Sequence, residues 1–239
     1  MTQAGAPSPR FLHTGIWTGT RLVVWGGTGG TPVATGAQYD PLADRWSPVA
    51  TVGAPSPRYY HSAVWTGTEM IVWGGQDATT YQATGARYHP SSDTWSPMSA
   101  ATAPSARIGH TAIWTGAKMI VWGGYDGAVY FSTGAVYNPS SDSWEMATSN
   151  VNAPSPRAIH TAIWSGSRMI IWGGSDDSNY FDTGGLYDPI ANAWTHPRIT
   201  GAPPPRTFHA PAWTGAKMMI WGGYDTHSSV ASGGLFDPG

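Results

Sequence analysis

The chain has 239 residues, of which 41% are hydrophobic and only 11% charged, with a net charge of −2 and no cysteine. This excludes a basic field for nucleic acid or an anionic membrane, a disulfide framework and a thiolate metal site. With 31 Gly, 20 Pro and 14 Trp, the composition suits short strands and tight turns, and almost no helix is expected.

The opening MTQAGAPSPR lacks an apolar signal core, and no run approaches membrane-spanning length. A soluble chain without a signal peptide in the sequence as given is therefore expected, with no compartment assigned. The first unit follows at once. Strand 1 is expected from His13 to Trp17, a turn at Thr18-Gly19, and strand 2 over Leu22–Trp25, ending in Gly26-Gly27. An apolar run without alternation, bounded by glycines, reads as a strand covered on both faces. Strand 3 ends at Tyr39, and Asp40-Pro41 turns the chain into strand 4 at Trp46.

The unit recurs. Arg10, Arg58, Arg107, Arg157 and Arg206 each head a Pro- or Ala-preceded Arg-x-x-His, at intervals of 48, 49, 50 and 49 residues. The strand 2 counterparts are Met70–Trp73, Met119–Trp122, Met169–Trp172 and Met218–Trp221. A four-stranded meander apolar on both faces is not stable alone, and stacking identical sheets around an axis covers both faces at once. The expected fold is all-β, a β-propeller of five four-stranded antiparallel blades, the last lacking its outer strand.

The ordered strings "LVVWGG…QYDPLADRW", "MIVWGG…RYHPSSDTW", "MIVWGG…VYNPSSDSW" and "MIIWGG…LYDPIANAW" resemble the kelch repeat, over essentially the whole chain. The resemblance implies one propeller domain over 1–239, with repeats near 7–54, 55–103, 104–153, 154–202 and 203–239. The fifth unit stops at LFDPG, before a strand 4 or its Trp. Three arrangements follow: a closed five-bladed ring, which the reading favours, a segment of a longer array, or an open piece that completes itself by association through the edge of strand 3 near Phe236.

Length variation marks the adaptable face. His to the Trp before Gly-Gly is always 12 residues and Tyr to the strand 4 Trp always 7, whereas the 2–3 loop and the 4–1 linker vary by one. Both emerge at the same end of a meander. The 2–3 loops there carry Tyr81, Tyr125, Tyr130, Phe131, Tyr180, Phe181 and Tyr224 beside Asp77, Asp126, Asp176, Asp177 and Asp225. Such a rim suits a protein or carbohydrate ligand. The five arginines stand near it and could ring an acidic ligand, or else tie down the linkers. Phe11-Leu12 becomes Tyr-Tyr, Ile-Gly, Ala-Ile and Thr-Phe in the later units, so a site particular to this protein would be written there and in the loops.

The remaining chemistry is thin. His13, His61, His110, His160 and His209 recur in every unit, which speaks for a shared structural need over a metal site. No nucleophile elbow is present, and Glu69 and Glu145 are the sole glutamates. The Met residues of strand 2, Met70, Met119, Met169, Met218 and Met219, read as core filler. The reading is a non-catalytic binding module without cofactor, with no nucleic-acid or membrane partner. A natural or engineered self-assembling scaffold comes second and an enzyme with a loop-borne site third.

Overall fold

A computed structural model describes all residues, 1–239. It contains strands, turns and loops and no helix. The first sheet comprises β1 (Thr14–Trp17), β2 (Leu22–Trp25), β3 (Gly36–Asp40) and β4 (Arg45–Pro48); the second β5 (Ser62–Trp65), β6 (Met70–Trp73), β7 (Gly85–His89) and β8 (Thr94–Pro97). The third holds β9 (Thr111–Trp114), β10 (Met119–Trp122), β11 (Gly134–Asn138) and β12 (Ser143–Ala147); the fourth β13 (Thr161–Trp164), β14 (Met169–Trp172), β15 (Gly184–Asp188) and β16 (Ala193–Thr195). The fifth has three strands, β17 (Ala210–Trp213), β18 (Met218–Trp221) and β19 (Gly233–Phe236). Each sheet is an antiparallel meander in chain order. Contacts divide the chain into two compact units, Met1–Ile108 with Pro139–Trp144, and Gly109–Asn138 with Glu145–Gly239.

Side chains alternate across a strand, so a continuous apolar run makes both faces apolar. In the first sheet the register pairs Thr14 with Trp25 and Ile16 with Val23 on one face, here the front, and Trp17 with Leu22 and Gly15 with Val24 on the back. In the first unit Val23 and Trp25 of that front pack against Met70, Val72, Tyr88 and Trp95 on the back of the second sheet. In the second unit Ile120 and Trp122 meet Met169, Ile171, Tyr187 and Trp194, and Ile170 and Trp172 meet Met218, Ile220 and Phe236. Sealing one indole, at about 25 cal/mol per Å² over roughly 200 Å², is worth on the order of 5 kcal/mol before entropy. The innermost strands of neighbouring sheets lie side by side, β1 with β5, β9 with β13 and β13 with β17. Pro211 falls in β17, an edge strand, where a missing backbone donor is tolerated.

A second device joins successive sheets. The residue just past strand 4 is gripped on both its polar groups by the following sheet. Ala50 donates its N–H to Asp93 Oδ1 (2.8 Å), and its carbonyl accepts from Trp95 Nε1 (2.7 Å). Ser99 is held in the same way by Asp142 and Trp144, and Ser149 by Asn192 and Trp194. Thr2 takes this place for the first sheet, with Asp44 and Trp46. The acceptor is itself fixed by a tyrosine hydroxyl, Tyr39 to Asp44, Tyr88 to Asp93 and Tyr187 to Asn192. The Tyr, Asp or Asn, and Trp of the repeat thus form one clasp. In the fifth sheet Phe236 has no hydroxyl, and Arg198 N–H bonds the Pro238 carbonyl instead (3.1 Å).

The Gly-Gly pair ending strand 2 is demanded by that packing. Gly123 has φ +71°, and a Cβ there would lie 2.5 Å from His160 Cε1 and 3.0 Å from the Arg157 carbonyl oxygen. Gly123→Ala is therefore expected to lower unfolding free energy by about 3 kcal/mol, from left-handed strain plus overpacking. Urea unfolding checks this, and Gly116→Ala, at a 1–2 turn with nothing within 4 Å of the added Cβ, is the milder control.

Candidate interaction surface at the loop rim

The arginines heading each repeat are anchored inward. Arg58 donates from Nη1 to the carbonyls of Gly74 (2.9 Å) and Thr84 (2.7 Å), from Nη2 to the hydroxyls of Ser56 and Thr84, and from Nε to the Ser56 carbonyl. Arg157 repeats the pattern with Gly173, Thr183 and Ser155, and Arg206 with Gly222, Ser232 and Pro204. Each planar fork ties the end of strand 2 to the start of strand 3 in its own sheet. Arg58, Arg107, Arg157 and Arg206 are 1% exposed, and burial pushes Arg58 and Arg157 down to about 10. Arg10 makes the same bonds to Gly26, Thr35 and Ser8 but is only half-buried. An acidic ligand would find these donors occupied. Arg157→Ala deprives the Gly173 carbonyl of its guanidinium donor and the Thr183 carbonyl of one of its two donors, and is expected to cost roughly 3 kcal/mol, while Arg10→Ala costs clearly less. Paired thermal melts read the difference.

His61, His160 and His209 sit between sheets. His61 shares a hydrogen bond through Nε2 with Thr14 Oγ1 of the preceding sheet (2.9 Å), His160 with Thr111 (2.9 Å) and His209 with Thr161 (2.7 Å). Each ring also stands edge-on to the preceding strand 2 indole, at centroid distances of 5.1, 5.2 and 5.0 Å from Trp25, Trp122 and Trp172. Burial, reinforced by the adjacent arginine, lowers His61 to about 3, His209 to about 4 and His160 well below its ordinary value. These imidazoles are neutral in the fold and titrate near 6.5 when unfolded. Below about pH 6.5 the unfolded chain therefore binds protons that the folded chain refuses. Stability is expected to be fully present above that pH and to fall on acidification toward pH 4, by about 1.4 kcal/mol per pH unit for each such histidine. Urea melts at pH 7, 6 and 5 test the slope, and equal stability at all three would contradict it.

The loop aspartates mostly build their own turns. Asp77 accepts the N–H groups of Thr79 and Thr80, Asp126 those of Ala128 and Val129, Asp176 those of Ser178 and Asn179, and Asp225 those of His227 and Ser228. These backbone donors hold Asp77 and Asp225 below the usual carboxylate range. Asp177 differs, accepting the Tyr130 hydroxyl across adjacent loops (2.9 Å). Burial and that bond push Tyr130 up to about 12.

The loop aromatics are held in part by one another. Tyr125 and Tyr130 are bridged in the backbone, with rings 4.6 Å apart. Tyr81 and Tyr180 are half-buried and pair in the backbone with Gln76 and Ser175. Phe181 lies over the Arg157 guanidinium, 4.1 Å from its carbon to the ring centroid. Phe131 is half-buried, its N–H bonded to the Gly124 carbonyl, and Tyr224 is 40% exposed. The extra residue between Trp144 and Arg157 lies in the five-residue β12, ahead of the clasped Ser149, and not in the linker beyond it.

The residue before each histidine carries a signal that the letters alone conceal. Leu12, Tyr60, Ile159 and Phe208 have φ of 56°, 56°, 56° and 55°, and Gly109 takes the same slot at 61°. Left-handed backbone is disfavoured for bulky and especially β-branched residues, and persists where surrounding structure imposes it. Glycine would suit all five slots, so the four side chains are not there for backbone comfort. Phe208 and Phe11 are each 60% exposed. In the first unit Phe11, Leu12, Thr31, Pro32, Tyr59 and Ala78 line a cleft of about 410 Å³, and the rings of Tyr59 and Tyr60 are 5.6 Å apart. Gly109 in a slot otherwise filled by large residues was the sequence clue to this geometry.

The two glutamates are far from any paired-carboxylate arrangement. Glu69 is buried beside Arg87 and His89, and Glu145 is paired with Lys118 and accepts from Asn138.

Residues 109–238 match the KLHDC2/KLHL20/DRC7 Kelch-repeats domain, and residues 31–133 match the Attractin/LZTR1 beta-propeller. The meander sheets, the Gly-Gly pairs and these matches together define a β-propeller. The chain belongs to the kelch-repeat family, with blades of four, four, four, four and three strands. Propellers of these families are in general protein-interaction modules and typically non-catalytic. No individual curated protein matches the chain by sequence.

Proposed function

We propose that this protein is a non-catalytic interaction module that binds a protein ligand on the rim formed by the 2–3 loops and 4–1 linkers. The observation that carries the reading is the set of bulky residues in left-handed slots on that rim, Leu12, Tyr60, Ile159 and Phe208. The buried arginines, the seam histidines and the strand 4 tryptophans have scaffold partners, whereas these residues bear backbone strain and differ from blade to blade. Strained residues of this kind concentrate where a surface is used. A ligand with an apolar or aromatic anchor suits the Phe11–Tyr59 cleft. Tyr81 would extend that contact, and Tyr125, Tyr130, Tyr180 and Tyr224 would offer contacts of the same kind on the second unit. A carbohydrate fits less well, because most loop carboxylates already accept backbone N–H groups and Tyr130 already donates to Asp177.

Panning a displayed random-peptide library against the protein tests this. Selected peptides are expected to lose at least about tenfold in affinity against Tyr60→Gly or Phe11→Ala, while Tyr60→Gly leaves the melting temperature unchanged or raised because the slot favours glycine. Peptides that bind these variants and a Tyr130→Ala, Tyr180→Ala double variant as tightly as the parent would overturn the reading. Capture of glycans and no peptide would favour the carbohydrate alternative.

A further inference from the structure

The closing tryptophan of strand 2 has five copies, and their environments differ sharply. Trp25, Trp73, Trp122 and Trp172 are 0–1% exposed, whereas Trp221 is 60% exposed. Beside it on the front of the fifth sheet, Met219 and its cross-strand partner Leu235 are 43% and 48% exposed. An open apolar face of this size in a charge-poor protein marks an interaction surface. It is the face itself, and not the β19 edge, that is open: Phe236 is buried, and a Cβ at Gly234 would meet the Gly201 carbonyl and Pro203 of the preceding linker.

The repeat states what such a face receives. Ile170, Trp172 and Leu186, the equivalents in the fourth sheet, pack on Met218, Ile220 and Phe236 from the back of the next sheet, with His209 edge-on to Trp172. The mate of a front face is therefore the back face of a kelch blade. In this chain one back face is open. Trp17 is 53% exposed and Leu22 half-buried in the first sheet. His13 is exposed, although His61, His110, His160 and His209 are buried.

The geometry points to head-to-tail self-association, in which the front face of β17–β19 in one copy docks on the back face of β1–β4 in a second copy. The interface is heterologous: Trp221, Met219 and Leu235 meet Trp17, Leu22 and His13. It is weaker than an internal seam. Ala210 fills the slot where Thr14, Thr111 and Thr161 offer a hydroxyl to the following histidine, so His13 gains the indole contact without the hydrogen bond.

Sedimentation of the whole chain over a wide concentration range tests the proposal. The expected result is a mass that rises with concentration above the 25.3 kDa of one copy. Trp221→Glu and Trp17→Glu, each at an exposed position, are each expected to weaken association by about 30-fold or more. Mixed in equal amounts they should form a 1:1 dimer and nothing larger, because each retains the face that the other lacks. Circular dichroism verifies folding, and Leu235→Arg replaces Trp221→Glu if the latter melts early. A wild-type mass of one copy at every concentration would overturn the proposal. So would variants that associate like the parent, or a mixture that stays monomeric while the parent assembles.

Discussion

A sheet apolar on both faces cannot stand by itself, and everything else in this protein follows from covering the second face. The strand 2 runs such as Met70–Trp73 are buried along their whole length, which no two-layer arrangement of one sheet and solvent permits. Each blade therefore needs a neighbour of matching shape on each side, and the sequence must repeat. The Gly-Gly pair follows from the same constraint, since the adjacent histidine ring and arginine carbonyl approach too closely for a side chain. Depressed histidine basicity is a by-product: rings that fill the seam cannot be hydrated, so they stay neutral.

The scaffold consumes most of the polar chemistry that the repeat displays. Arginine forks, seam threonine hydroxyls, turn aspartates and the indole N–H groups of strand 4 find partners within or between the blades. What varies from blade to blade is small, namely the two residues after each arginine and the loops that follow Gly-Gly. This division lets those positions change without disturbing the arginine forks and clasps of the frame.

Strand positions, turn chemistry and the family were legible because spacing and periodicity are local properties. The packing role of Trp25, Trp73, Trp122 and Trp172 was legible too. The repeated tryptophan at Trp221 and the apolar Met219 beside it misled, since their exposure depends on what lies across the seam and not on the strand that carries them. Arg58 and its relatives read either as ligand donors or as ties on the linkers, because sequence gives no direction for a side chain; in the fold they turn toward carbonyls 16 and 26 residues downstream. The strained slots were visible only as variable letters, with Gly109 the single hint. The clasp was hidden because Asp44, Asp93, Asp142 and Asn192 lie in turns, where an acidic or amide residue already has an ordinary local explanation.

The clasp also sets a phase. From each clasped residue to the following arginine the interval is eight residues, in Thr2 to Arg10, Ala50 to Arg58, Ser99 to Arg107 and Ser149 to Arg157. Arg198, held by the Pro238 carbonyl, keeps the same distance to Arg206. This span works as a ruler that carries the register of one blade to the next. A residue inserted within it would displace the next arginine from its carbonyls and misalign everything downstream. The 2–3 loop lies outside the ruler, so it can lengthen blade by blade, and a propeller of this kind diversifies there while its frame keeps time.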